Sequence, residues 1–318
     1  MKCIIQFDAN GWAQNLHAEG LRKFAPKGCD VTTQLLSEPI PKDAECVYTI
    51  NFASCRKLAG VRVASCIASH AWMHQENDPN NWRTRGVNPK RNSVVGQVHL
   101  THADAFVCRN TELDRWASRF TDKARYIPAG IDPTLWHPSG RIENTGRKLR
   151  VGWSGQVNPE MSGRFKGYDE VWTPLKMRLA DQYDFVENTR TANEALSWAE
   201  MREWYSSLDC FLTTASAEGT PNGPYIAAAC GAVVVSTSVG QCADWKSLDH
   251  MGLVTRDYGN EAEADIVIDQ MTHLLKTLED PHVRMAKQEM LLASIENSYS
   301  YKVLAPKTLS FVCGLETQ

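Results

Sequence analysis

One polar loop in the second half of the chain combines a carboxylate, small residues and a helix start. The loop runs over residues 216–224, contains Glu218, and leads into an apolar segment that begins at Tyr225. The Glu218 carboxylate can accept hydrogen bonds from sugar hydroxyls, and the unpaired amides of a helix N-terminus can hold a phosphate. The loop therefore predicts a site that binds a sugar and a phosphate together.

A second polar segment follows the predicted strand 149–154. Gly155 and Gln156 come directly after that strand, and Arg164 and Lys166 follow a few residues later. Small residues let backbone amides approach a phosphate, and the two cations can supply the positive charge that a leaving diphosphate needs. An ordinary glycine turn with two solvated cations is an equally good interpretation of this segment taken alone.

The stretch from 218 to 240 resembles the donor-site signature of family 4 glycosyltransferases, which have the GT-B fold. Segments 126–132, 204–209 and 252–254 are also similar to that family, so the resemblance covers residues 100–260. It implies transfer of a sugar from a nucleoside-diphosphate sugar, with retention of configuration. No cofactor and no essential metal are implied, because basic side chains and helix amides would neutralise the leaving diphosphate.

The resemblance also implies roles for individual residues. Arg164 and Lys166 would neutralise the diphosphate, and Glu218 would hydrogen-bond the donor sugar. The donor pocket would be completed by Gly11, Trp12, Gly155, Gln156, Gly219, Thr220, Asn222 and Gly223. The family usually has a second glutamate eight residues after the first, which holds the ribose, but this chain has Ile226 there. That departure leaves ribose binding and the identity of the nucleotide open.

Two positions in the first half resemble the family more weakly. Gly11 lies in a reduced form of the family's N-terminal glycine loop, where it would allow the backbone to approach the phosphates. His70 follows the predicted strand 61–67 and would orient or deprotonate an acceptor hydroxyl, as the fourth catalytic candidate beside Arg164, Lys166 and Glu218. The alternatives are an ordinary strand-to-helix turn for Gly11 and a structural role for His70.

A basic segment with tryptophans follows His70. Together with His70, the acceptor candidates are Trp72, Trp82, Arg83, Arg85, Lys90 and Arg91, with no acid between positions 83 and 91. Cations interleaved with tryptophan suit a nucleic-acid backbone and a stacked or flipped base, although a solvated loop would have the same composition. Residues 1–150 hold 21 Lys and Arg against 14 Asp and Glu, or +7, and residues 151–318 hold 13 against 23, or −10.

The positive half favours an anionic acceptor. We expect a hydroxymethylated pyrimidine in DNA, as in phage enzymes that glycosylate their own genome. Synthesis of a surface polysaccharide or a lipid-linked glycan is the alternative enzyme activity, although no amphipathic helix with a basic face is evident. An inactive subunit that binds a nucleotide sugar is a third hypothesis, because Ile226 and the single glycine of the N-terminal loop both depart from the family.

Apolar segments of strand length alternate with helical segments along both halves. Predicted strands are 3–7, 46–50, 61–67, 105–108, 125–128, 149–154, 183–187, 210–213 and 232–236. Predicted helices are 15–24, 112–120, 198–207 and 225–230. This alternation predicts an α/β protein with parallel sheets.

We expect two Rossmann-like domains that face each other across a cleft: an acceptor domain over 1–140, a donor domain over 141–290, and a terminal helix over 291–318 that returns to the first domain. Residues 133–146 read as the linker.

The overall composition is that of a folded protein with no membrane-spanning segment. The chain has 318 residues, of which 22% are charged, and its longest apolar run, 226–235, is too short to cross a bilayer. Its N-terminus lacks the pattern of a signal peptide. Ten cysteines are spread along it without a C-x-x-C pair, which suggests neither a zinc site nor a disulfide framework. We expect reduced, mostly buried thiols in a cytoplasm, that of the host if the protein is phage-encoded, with Cys210 and Cys230 in the core.

Overall fold

The structure is a computed structural model that describes residues 1–11, 13–73, 93–140, 146–157, 165–189, 196–246, 253–254 and 261–315. These residues divide into two compact units. The first contains the described residues up to Asp132 together with those from Ser298 onward, and the second contains those between Pro133 and Asn297. Each unit is built on one parallel β-sheet with helices, which confirms the predicted α/β class.

The first unit contains a six-stranded sheet. Its strands are β1 (Lys2–Phe7), β2 (Asp30–Leu35), β3 (Cys46–Thr49), β4 (Arg62–Ile67), β5 (Ala105–Cys108) and β6 (Ala124–Tyr126). Its helices are α1 (Ala13–Lys23), α2 (Ser93–His99) and α3 (Thr111–Ala117), with short 3₁₀ helices at Phe52–Ser54 and His70–Met73. The strand order is β2-β1-β3-β4-β5-β6, and every pair is parallel.

The second unit contains a five-stranded sheet. Its strands are β7 (Arg150–Gly155), β8 (Asp184–Thr189), β9 (Cys210–Thr213), β10 (Val233–Thr237) and β11 (Leu253–Val254). Its helices are α4 (Thr173–Leu179), α5 (Trp198–Ser206), α6 (Asn222–Ala229), α7 (Gly240–Ala243), α8 (Glu261–Thr277) and α9 (Pro281–Ser294), with π-helical turns at Tyr168–Trp172 and Ile295–Tyr299. The strand order is β11-β10-β9-β7-β8, again parallel throughout.

The last helix, α10 (Tyr301–Cys313), completes the core of the first unit. It packs against α1, β3, β4 and β5. Leu304, Leu309 and Val312 of this helix are buried beside Ile5 and Val107 of the sheet. The Ser300 hydroxyl accepts a hydrogen bond from the Lys302 amide at 3.1 Å and begins the helix, and Gly314 ends it with a φ of 69°.

Buried apolar runs account for the central strands. β3, β5, β9 and β10 are buried along their whole length, as expected of strands that are covered on both faces. All nine predicted strands are present with bounds within two residues of those predicted. Cys210 and Cys230 are buried, and none of the ten cysteines forms a disulfide.

Several elements differ from the sequence prediction: β2, β11, α2, α4, α7 and α8 were not predicted, and α6 begins earlier than predicted. Strand β2 was not predicted, because Asp30–Leu35 lies at the edge of the sheet, contains only two apolar residues, and has only Val31 buried. Helix α6 begins at Asn222, three residues before the predicted start, and contains Pro224 in its first turn. Proline is tolerated there because the first amides of a helix have no partner within the helix.

No helix in the described part of the chain is long and apolar enough to cross a membrane.

Candidate functional site

The second sheet has a point at which its strand order changes direction. β8 lies on one side of β7, and β9, β10 and β11 lie on the other. Open α/β sheets bind ligands outside the carboxyl ends of their strands at such a point. The carboxyl ends of β7 and β9 border a pocket of about 60 Å³, lined by Trp153, Ser154, Lys166, Phe211, Leu212, Thr213, Thr214, Ala215, Glu218, Pro221, Asn222, Gly223 and Pro224.

The segment that carries Lys166 is attached to the end of β9 by hydrogen bonds. The Thr214 hydroxyl donates to the Lys166 carbonyl at 2.7 Å, and the Ser216 amide donates to the Phe165 carbonyl at 2.9 Å. The Trp153 indole on β7 donates to the Thr214 hydroxyl at 2.9 Å. These bonds position Lys166 beside the loop that contains Glu218.

Lys166 and Glu218 form an ion pair at this pocket. Their side chains are 26% and 16% exposed, so both charged groups are partly buried and still reach solvent. An anionic ligand that approached Lys166 would compete with Glu218 for the ammonium group. Glu218 would then be free to accept hydrogen bonds from hydroxyl groups of the same ligand.

Helix α6 presents its N-terminus to the same pocket. Pro221 stands at the N-cap, and no side chain of the described residues caps the helix. The amides of Asn222 and Gly223 therefore belong to the unpaired first turn, which favours anion binding. A Cβ at position 223 would lie 2.9 Å from the Phe211 ring, so glycine lets the helix start approach β9 this closely.

Gly240 packs closely against the backbone of the loop that contains Glu218. Its φ is 49°, and a Cβ there would lie 2.4 Å from the Gly219 carbonyl oxygen. The Gln241 amide donates to that carbonyl at 3.1 Å. The start of α7 thus positions Gly219. Gly219 and Thr220 are next to residues that line the pocket but do not line it themselves.

Nine lining residues were not among the predicted site residues, and Trp153 and Thr213 are two of them. Trp153 lies near the end of β7, and Thr213 is the last residue of β9. The Thr213 hydroxyl is buried and has no hydrogen-bond partner among the described residues. A search for polar residues at the carboxyl ends of buried strands would have found Thr213 from the sequence.

The other donor-side predictions fall near the pocket or outside the described residues. Gly155 is the last residue of β7 and Gln156 follows it, and neither lines the pocket. Arg164 and Trp12 lie outside the described residues, as do the acceptor candidates Trp82, Arg83, Arg85, Lys90 and Arg91.

Neither Ile226 nor the Glu187 carboxylate on β8 supplies a free group for a ribose. Ile226 is 4% exposed within α6. Glu187 on β8 accepts hydrogen bonds from Tyr168, Trp172 and Lys176 at 2.7, 3.0 and 2.6 Å. Burial alone would raise the pKa of Glu187, but these bonds outweigh it and lower the pKa. The Glu187 carboxylate is therefore already hydrogen-bonded to three side chains of its own unit.

In the first unit, two predicted residues lie beyond the carboxyl ends of strands. Gly11 follows β1 with a φ of 74°, and its amide donates to the Asn15 side chain at 3.3 Å. No atom lies within 4 Å of a Cβ built at Gly11, so the turn conformation and not crowding favours glycine. His70 is half-buried and begins the 3₁₀ helix after β4.

Trp72 is a core residue. Its side chain is 3% exposed, and its ring makes edge contacts with Phe52 and His99 at centroid distances of 5.0 and 5.5 Å. The prediction that Trp72 binds the acceptor is inconsistent with this burial, because no face of the ring remains for a stacked base.

A larger cavity of about 310 Å³ lies at the opposite edge of the second sheet. Leu149 and Tyr183, which precede β7 and β8, line it together with Arg147, Lys148, Glu279 and Arg284. Strand amino ends are not the usual ligand-binding edge of such sheets, and Arg147 and Arg284 are already bonded to Asp209 and the Leu278 carbonyl. We therefore take the smaller pocket as the candidate site.

Comparison with known proteins adds the identity of the fold. No family model matches the chain, and no curated protein matches its sequence. The sucrose-phosphate synthase of Thermosynechococcus elongatus superposes with a TM-score of 0.68 at 12% identity, over 99% of this chain and 98% of that one. Anabaena Alr3699/HepE in complex with UDP and glucose gives 0.65 at 11%, over 99% and 100%. WaaG, a glycosyltransferase involved in lipopolysaccharide biosynthesis, gives 0.60 at 13%, over 99% and 100%.

The chain has a GT-B glycosyltransferase fold. This result confirms the fold that the resemblance implied, over the full length of the chain. Within this fold, the candidate pocket lies in the second unit, at the strand ends of β7 and β9.

Proposed function

We propose that this protein is a glycosyltransferase that moves a sugar from a nucleoside-diphosphate sugar to an acceptor hydroxyl. The observation that carries the proposal is the pairing of Lys166 with Glu218 beside the uncapped start of α6, at the carboxyl edge of a sheet with this fold. A cation, helix amides and a carboxylate together match a ligand that has both a diphosphate and a sugar.

Each group has a distinct task in the proposed reaction. The bond between the sugar C1 and the diphosphate oxygen breaks, and a new bond forms between C1 and the acceptor oxygen, which loses its proton. Lys166 and the first amides of α6 stabilise the negative charge that accumulates on the leaving diphosphate. Glu218 accepts hydrogen bonds from the sugar hydroxyls. His70 orients the acceptor hydroxyl or takes its proton.

The resemblance to family 4 supports transfer with retention and without an essential metal. Lys166 and the helix amides provide the positive charge that a metal ion would otherwise supply. Arg164 is proposed to add a second cation. We expect full activity in the presence of a chelator.

The pocket of about 60 Å³ is large enough to hold only part of a nucleotide-sugar donor. Ordinary ligand sites have volumes of about 300 Å³ or more. Since Ile226 is buried and Glu187 is already bonded, we propose that backbone groups hold the ribose.

For the acceptor we propose a hydroxymethylated pyrimidine in DNA. The support is the charge of +7 on residues 1–150 and the basic segment that contains Trp82, Arg83 and Arg85. A positive surface attracts a polyanion, and a tryptophan can stack on a base that has left the duplex.

A glycan acceptor is the second candidate. One observation favours it specifically: the likeness to WaaG, which acts in lipopolysaccharide biosynthesis, extends over nearly the whole chain. The basic first half would also suit a phosphorylated glycan.

The test is mass spectrometry of nucleosides from DNA that contains hydroxymethylcytosine or hydroxymethyluracil, after incubation with the protein and a panel of nucleotide sugars. A mass gain of one sugar supports the reaction and the DNA acceptor together. Release of nucleoside diphosphate without a modified base supports the transferase and favours a glycan. A donor that binds but is neither transferred nor hydrolysed contradicts the enzyme and favours a binding subunit.

Two isosteric variants test the site itself. Lys166→Met and Glu218→Gln each remove one charge and are expected to lower transfer by about 100-fold or more, because each removes a group that stabilises the transition state. Lys276→Met, on the exposed face of α8, is the matched control and should retain full activity. Unchanged transfer in both site variants would show that the chemistry takes place elsewhere.

A further inference from the structure

Three cysteines that are far apart in the sequence meet inside the first unit. Cys3 is on β1, Cys46 begins β3, and Cys313 ends α10. The Sγ atom of each lies within 4.8 Å of the other two, and all three side chains are buried. Positions 3, 46 and 313 share no motif spacing, so this cluster is a product of the tertiary structure.

We propose that Cys3, Cys46 and Cys313 form a binding site for a soft metal ion, with zinc as the reference ion. Thiolate sulfur is the preferred ligand of zinc and of copper(I). With Zn–S bonds of about 2.3 Å, ligand sulfurs lie about 3.8 Å apart, so the cluster needs to contract by no more than about 1 Å per pair.

A fourth cysteine lies beside the cluster. Cys29, which directly precedes β2, is half-buried and packs against the hydrophobic core that contains Cys3, Cys46 and Cys313. It is nearer to solvent than the three buried cysteines and offers a side from which an ion can enter.

Arg62 provides charge compensation. Its guanidinium donates to the Val312 carbonyl at 2.8 Å and would lie 3.1 Å from a Cβ at Gly314, which places it at the end of α10 next to Cys313. Three thiolates and a divalent ion carry a net charge of −1, which a nearby arginine offsets.

The binding step needs no oxidant. Each thiol releases its proton, and each thiolate sulfur donates an electron pair to the ion, so uptake of one divalent ion by three thiols releases up to three protons. The site belongs to the first unit and is independent of the proposed sugar transfer.

The test is titration of the full-length, fully reduced protein with Co²⁺, which has a sulfur-to-metal charge-transfer band when thiolates bind it, followed by displacement with Zn²⁺. We expect saturation at one ion per chain. Cys46→Ser and Cys313→Ser should each lose the band or weaken binding by at least tenfold. Arg62→Gln should weaken binding by about 10- to 100-fold, as loss of a supporting residue does at other metal sites.

Cys108→Ser is the matched control, because Cys108 is a buried cysteine of the same sheet that lies outside the cluster. It should bind Co²⁺ like the unaltered protein. Absence of the band in the unaltered reduced protein would overturn the proposal even if the variants fail to fold. A band that persists in both cluster variants would overturn it too.

Discussion

A cation lies close to strand ends in each unit, Arg109 in the first and Lys166 in the second. The surroundings of these two side chains differ. Arg109 follows β5 in the first unit, is 1% exposed, and donates to the Tyr48 hydroxyl at 3.0 Å and to the carbonyls of Ile127 and Pro128 at 3.1 and 3.2 Å. Lys166 in the second unit is 26% exposed and pairs with one carboxylate.

This contrast separates a structural cation from one that is available to a ligand. Arg109 also contacts the sulfur of Cys66 at 3.1 Å and the ring of His17, so its guanidinium is surrounded by protein groups. None of these partners among the described residues is a carboxylate that a ligand could displace. In the proposed function, Lys166 would exchange Glu218 for a diphosphate without any rearrangement of the core.

The largest expected effect is on the stability of the first unit. Arg109→Met should lower the free energy of unfolding by about 3 kcal/mol or more, because it leaves several buried polar groups without a partner. Lys166→Met should lower it by about 1 kcal/mol or less, since that pair is partly solvated. Urea denaturation of both variants measures the difference. Equal losses would mean that Lys166 is as structural as Arg109.

A smaller effect is expected from a pair of glycines. Gly240→Ala should cost about 2 kcal/mol, because the residue has a positive φ and its Cβ would clash with the Gly219 carbonyl behind the Glu218 loop. Gly28→Ala in the first unit meets no atom within 4 Å and should cost only about 1 kcal/mol for its positive φ of 90°.

Donor binding distinguishes these two variants further. Gly240→Ala should weaken donor affinity because the pocket loop moves, whereas Gly28→Ala should leave it unchanged. Calorimetric titration with a nucleotide sugar measures both. Unaltered affinity in Gly240→Ala would show that the Glu218 loop does not form the donor site.

A third expected effect is a pH dependence in the Arg109 cluster. The pKa of His17 is lowered well below 6.5 by burial and then by the Arg109 charge, so the folded protein holds the neutral ring. The unfolded chain binds the proton more readily, and stability is therefore complete above pH 6.5 and decreases as the pH falls below that value. Between pH 7 and 5.5 the loss should be about 1.2 kcal/mol.

His17→Gln should remove most of this pH dependence. His99, whose pKa is also lowered by burial, contributes in the same direction. The exposed His282 is the matched control, and His282→Gln should leave the slope unchanged. Urea denaturation at a series of pH values checks the result, and a slope that survives in His17→Gln would contradict the role assigned to burial.

Local sequence patterns were sufficient to predict the strands that form the centre of each sheet. Segments 105–108 and 210–213 coincide with β5 and β9, because a strand buried on both faces must consist of apolar residues. β2 was missed because an edge strand needs few apolar residues and forms by pairing with β1. The Glu218 loop was identified because its carboxylate, turn residues and helix start are contiguous.

Contacts between distant positions were decided only by the tertiary structure. Lys166 meets Glu218, and Cys3 meets Cys46 and Cys313, through the order of parallel strands and the return of α10 to the first sheet. Trp72 resembled a stacking residue in the sequence and is buried against Phe52 and His99. By itself, the sequence determined the α/β class and pointed to the loop that we propose carries the chemistry. Which side chains share a site and which fill a core depended on packing, because side chains distant in the chain are brought together only when the sheets and helices assemble.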